Sequence, residues 1–120
     1  MAPRQPTDLH LRVSLSSKFA FGPGKANLLE SVAETGSISA AAKAMRMSYR
    51  RAWLLLDEMN QHFREPVVQK TKGGKGGGGG AKLTAAGESV VALYRAIEAR
   101  SRRAAGPAIA KLRDLTAPRA

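Results

Sequence analysis

Tyr49, Arg50 and Arg51 follow directly on Ser48, and this cluster is the part of the 120-residue sequence best equipped for molecular recognition. A guanidinium carries a rigid fork of N–H donors that matches the acceptor edge of guanine or the oxygens of a phosphate. Serine and tyrosine hydroxyls add groups that can donate and accept. A second cluster is the stretch KTKGGKGGGGGAK, in which Lys70, Lys72, Lys75 and Lys82 surround seven of the twelve glycines. Bare amides and four cations suit close approach to a phosphate backbone, a contact that positions a protein without reading sequence.

Other chemistries find no support in the residue pattern. A Walker-type phosphate loop needs a glycine five residues ahead of its Gly-Lys pair and a Ser or Thr behind it. Gln69 precedes Gly74-Lys75 at that distance and Gly76 follows, so the motif fails. The two histidines, His10 and His62, lie far apart, and with no cysteine there is neither a thiolate metal site nor a disulfide framework. Asp57 and Glu58 are neighbours on a predicted helix and point in different directions, so they make no acid/base pair. No catalytic residue, metal or cofactor is expected, and the chain does not read as an enzyme.

The charge balance points the same way as the clusters. Twenty Lys and Arg against nine Asp and Glu give a formal +11 and a pI near 11.0, which favours a polyanionic partner, double-stranded DNA above all. No apolar run reaches the ~18 residues of a membrane span, and the segment 1–12 mixes Pro, Arg, Asp and His where a secretion signal needs a continuous apolar stretch. A cytoplasmic protein without a membrane partner is expected. The last long helix has an apolar stripe with Arg95, Arg100, Arg102 and Arg103, as a membrane-surface helix could, but it lacks Trp or Phe anchors.

The elements that must position the clusters follow from periodicity. Residues 1–8, with two prolines, form a loose arm; residues 9–15 alternate apolar and polar as a half-buried strand does. Lys18 to Gly24 reads as a turn into a helix over 25–35, carrying Leu28, Leu29 and Val32 and closed by Gly36. Ser37 caps a short alanine-rich helix, and Ser48 caps a longer one whose stripe Ala52, Leu56, Met59, Phe63 ends before Pro66. Segments 67–71 and 81–83 form a hairpin with the glycines at its tip, and Thr84 caps a last long helix to about Arg103, broken by Gly106 and Pro107, with one more turn or two of helix expected between Pro107 and Leu115. The domain is therefore 9–104, with 105–120 as a C-terminal tail.

A strand, a helix, a short helix, a tight turn, a longer helix and a hairpin, in that order, follow the logic of a winged helix-turn-helix. The class is mainly α with a small β-wing. In that arrangement the N-terminal end of the Ser48 helix reaches base edges in the major groove while the hairpin lies along the adjacent backbone. The plain alternative is an αα-hairpin with two solvated arginines. Trp53 stays open between a contact in the groove and a place in the core beside Leu56. Leu54, Leu55 and Leu56 cannot all face inward on one helix, so at least one must cover another element or a second subunit.

Segments GSISAAAKAMRMSYRRAWLLLDEMNQ and TKGGKGGGGGAKLTAAGE, in this order, resemble the N-terminal DNA-binding domain of the ModE-type molybdenum-responsive regulators, itself similar to the winged helix of LysR-type regulators. The resemblance covers about residues 9–100. It implies a homodimeric transcriptional regulator on a roughly palindromic operator. It places Ser48, Tyr49 and Arg50 in the groove, Lys72 and Lys75 on the wing, and Leu28, Leu29, Val90, Leu93, Tyr94 and Ile97 between subunits, the long last helix serving dimerisation. A winged-helix interaction module without specific DNA binding is the alternative. The sequence departs from the pattern at Arg46, which stands near the left-handed position of the tight turn, usually glycine; keeping the geometry costs ~1 kcal/mol, so a reshaped turn is expected. The family's molybdate-binding part has no counterpart here, so molybdate is not an expected ligand.

Overall fold

The computed structural model describes residues 9–72 and 79–118. The arm 1–8 and Lys75 lie outside them. The fold opens with a small antiparallel hairpin, β1 (Val13–Ser16) against β2 (Phe19–Phe21), pairing Val13 with Phe21 and Ser14 with Ala20. Here the sequence expectation is corrected, because the strand sits later than residues 9–15 and Lys18 to Gly24 is not one turn. Three residues of Phe-Ala-Phe are too short to show a period, yet they alternate, and both rings are buried. Phe21 packs edge-on to Phe63 and Tyr94, and Phe19 stacks on His62 at 4.6 Å.

Helix α1 (Pro23–Thr35) starts on a proline, which fits a first turn because the missing N–H would have no partner there. Gly36 closes it at φ 72°, the left-handed cap that glycine adopts without strain. Helix α2 (Ile38–Ala44) and helix α3 (Tyr49–His62) are capped as their sequences predict: Ser37 accepts from the Ala40 amide at 3.1 Å and Ser48 from the Arg51 amide at 3.0 Å. Leu28, Leu29, Val32, Leu56 and Met59 fill the core between these helices. Ala26, Ala41, Ala42 and Ala52 let them cross closely. Burial of each large side chain contributes about 1.5–3 kcal/mol.

The turn from α2 to α3 keeps its left-handed geometry, contrary to the expected reshaping. Arg46 sits at φ 56°, held because its amide donates to the Lys43 carbonyl at 3.1 Å and the Met47 amide donates to Ala42 at 3.0 Å. Those two bonds are the helix-ending pattern that normally has glycine at this place.

The wing pairs β3 (Val68–Thr71) with β4 (Gly80–Leu83) in register from Val68↔Leu83 to Thr71↔Gly80. Its inner strand is tied to α1 through the Ala81 amide, which donates to the Gly36 carbonyl at 2.9 Å. The tip, residues 73–78, belongs to the undescribed part.

Helix α4 (Ala85–Asp114) is capped by Thr84, whose hydroxyl oxygen accepts from the Gly87 amide at 3.0 Å. It does not stop near Arg103: it runs through Gly106 and Pro107. Pro107 removes the bond to the carbonyl four residues back, that of Arg103, but both residues are exposed and water can satisfy the orphaned oxygen. Alanines and charged residues on either side favour continuation.

An ion-pair cluster locks α4 to α1. The Arg95 guanidinium donates to both carboxylate oxygens of Glu30, to Asn27 Oδ1 at 2.7 Å and to Glu98 Oε1 at 2.8 Å. The bond to Glu30 raises the Arg95 pKa above its ordinary value, against the opposing effect of burial. Tyr94 lies in the core beside this cluster, its hydroxyl donating to the Leu11 carbonyl at 2.6 Å.

Two of the expected intersubunit residues are thereby corrected. Leu28 and Leu29 are 0 % exposed in the single chain, so their side chains are unavailable to a partner subunit. They line the inner face of α1 and are taken up by the protomer's own core.

Candidate nucleic-acid interface

Helix α3 divides into four stripes. Ala52, Leu56 and Met59 face the core. Arg50, Leu54, Asp57 and Gln61 stand on the side away from it, by the 100° turn per residue of an α-helix. Tyr49, Trp53 and Asn60 share one flank, and Arg51, Leu55 and Glu58 share the other. The outer surface is bare: Tyr49 is 51 % exposed, Leu54 47 % and Trp53 38 %. Trp53 is therefore not a core residue.

The two flanks meet different elements. On the first, the Asn60 side-chain oxygen accepts the Val67 and Val68 amides and its NH2 donates to the Val68 carbonyl. This fixes the root of the wing to α3, with Tyr49 and Trp53 on the same flank. On the second, Arg51 and Leu55 border a cleft with Arg12, Gly22, Lys25 and Met47 at the start of α1. Glu58 there pairs with Lys25 at 3.6 Å, and Lys25 also donates to the Ala20 carbonyl at 2.7 Å.

Among the described residues Arg46, Arg50 and Arg51 have no ion-pair partner. No acidic residue stands between Glu34 and Asp57, and Glu58, on the flank of Arg51, pairs with Lys25. The Ser48 hydroxyl oxygen is engaged as the cap of α3, which leaves its hydrogen free to donate outward. Lys70, Lys72 and Lys82 lie on or beside the wing strands, and Lys70 and Lys82 are exposed.

Two features of the site were not predicted. Asn60 has no sequence signal beyond a polar residue near the end of an amphipathic helix. Leu54 does: three consecutive leucines require one to leave the core, and Leu54 is the most exposed of them. Val13, Leu15, Phe21, Phe63, Val90, Leu93, Tyr94 and Ile97 line an apolar groove of about 190 Å³. Leu93 and Ile97 there are 67 % and 42 % exposed. Among the described residues no group of three or more His, Cys, Asp or Glu could hold a metal ion, and no helix is long and apolar enough to cross a membrane.

A capped helix with an outward cationic start, preceded by a tight turn and followed by a hairpin tied to its far end, is a winged helix-turn-helix of the DNA-binding type. Residues 25–88 match the family of bacterial regulatory helix-turn-helix proteins of the lysR type, and the chain belongs to that family.

Its relatives narrow the likeness. The molybdenum-pterin-binding protein MopB of Rhodobacter capsulatus is 49 % identical over 78 residues, which cover 65 % of this chain and 28 % of MopB. The DNA-binding transcriptional dual regulator ModE of Escherichia coli K12 is 40 % identical over 87 residues, 72 % of this chain and 33 % of ModE. The chain thus spans about a third of the length of these curated relatives. In fold it is similar to the DNA-binding domain of CbnR solved as a DNA complex, with a TM-score of 0.57 at 22 % identity, covering 73 % of this chain and 94 % of that one.

Proposed function

We propose that the chain is a ModE-like transcriptional regulator that binds a roughly palindromic operator as a homodimer. The observation that carries this reading is the start of α3, where Ser48, Arg50 and Arg51 are exposed on a helix whose opposite end holds the wing. Arg50 reads a base edge, with Leu54 beside it for a thymine methyl; Tyr49 and Trp53 cover the wing side, and Arg51 meets the backbone on the α1 side. Lys70, Lys72, Lys75 and Lys82 hold phosphates and supply affinity without choice.

The dimer is supported by the apolar groove, with Val90, Leu93 and Ile97 of α4 as its contact residues. Two copies related by a twofold axis would present two α3 helices to two half-sites. Molybdate is not a ligand of the winged domain in this reading. Fluorescence anisotropy on DNA selected from a random pool, with salt titration, tests it: the expected result is a site-selective complex that weakens steeply with salt. Failure to select any sequence would favour the interaction-module alternative.

A further inference from the structure

Arg46 combines three observations that the groove and wing do not use. It is a non-glycine residue at positive φ, 56°, and the single such residue among those described. Its backbone is fixed by the bonds Arg46 to Lys43 and Met47 to Ala42, so the left-handed conformation is imposed by the turn. Its side chain is exposed and has no ion-pair partner among the described residues. Glycine would satisfy the turn without strain, and arginine gains nothing for the fold by standing there.

We propose that Arg46 is a phosphate-contacting residue, a guanidinium held on strained backbone two residues ahead of the α3 cap so that it grips the DNA strand flanking the groove. This rests on the DNA-binding reading above. A residue just outside the N-terminus of the groove helix stands where backbone oxygens pass the protein, and the turn's two bonds prevent the Cα from drifting. A guanidinium there can meet a phosphate with two N–H donors. Strained positions persist where the surroundings over-determine them, and they concentrate at functional sites.

Three variants test this: Arg46→Gly, Arg46→Gln and Arg46→Lys. Arg46→Gly should raise the thermal midpoint by ~4 °C, because left-handed strain is relieved in a domain of this size. It should also weaken binding to operator and scrambled DNA alike, by about 3–10-fold, and lower the salt slope by about one. Arg46→Gln should show the same loss of binding without the gain in stability, and Arg46→Lys should keep the wild-type slope. Wild-type affinity and slope in Arg46→Gly would overturn the phosphate contact while leaving the DNA-binding reading intact. An unchanged midpoint in Arg46→Gly would overturn the claim of strain. Failure of the wild type itself to bind DNA with a salt-dependent affinity would overturn both readings.

Discussion

Asn60 and Val68 exchange hydrogen bonds in both directions: the Asn60 NH2 donates to the Val68 carbonyl at 3.0 Å, and the Val68 amide donates to Asn60 Oδ1 at 3.2 Å. The Val67 amide adds a third bond to the same oxygen at 2.8 Å. One side chain therefore sets the angle between α3 and the wing. Asn60→Leu leaves two part-buried amides without a partner and should cost about 1–3 kcal/mol in urea unfolding. Its effect on DNA binding should exceed that of removing one wing lysine, since the whole wing is released.

Gly87 marks the closest approach of α4 to the wing root. A Cβ there would collide with the Val67 carbonyl oxygen, which itself accepts from the Thr84 amide. Gly87→Ala should destabilise by about 2 kcal/mol or more, because backbone must move on both sides. Gly106, in the same helix with open space around its Cα, is the control. Gly106→Ala should stabilise by about 0.5–1 kcal/mol.

Arg95 shields a buried carboxylate. Glu98 is 3 % exposed, and its Oε2 has no hydrogen-bond partner beyond an ion pair to Arg102 at 3.7 Å. Arg95→Met removes its main counter-charge and should cost about 2–4 kcal/mol, measured by chemical denaturation. The double variant Arg95→Met with Glu98→Met should recover part of that loss, the signature of coupled charges rather than of lost packing.

Leucines of the core and of the proposed interface separate by experiment. Leu93→Glu should give a folded monomer by light scattering with an unchanged unfolding midpoint in the dissociated state, since Leu93 is mostly exposed. Leu28→Ala should instead cost about 2–5 kcal/mol of stability. A Leu93→Glu protein that stays dimeric would contradict the placement of the interface on α4.

What the sequence made legible was local. Ser37, Ser48, Thr84 and Gly36 cap their helices as read, because a cap depends on a few neighbouring residues. β2 escaped because three residues hold no measurable period, and the continuation of α4 past Pro107 because a proline's effect depends on whether water reaches the freed carbonyl. Leu28 and Leu29 were expected between subunits but are buried within the protomer: an apolar stripe shows that a face is buried, not whether the protomer or a partner buries it. Trp53 could be settled only by seeing the wing flank of α3, and Asn60 only by its bonds across seven and eight residues.

In the proposed complex α3 chooses the sequence and the wing holds the backbone. The decisive measurement is the set of dissociation constants of the wild type, Arg50→Ala and Lys72→Ala on the selected operator and on scrambled DNA, over a range of salt. The predicted result is that Arg50→Ala loses about 1–3 kcal/mol of discrimination, while Lys72→Ala weakens both DNAs equally and lowers the salt slope by about one. Equal specificity ratios for wild type and Arg50→Ala would contradict it.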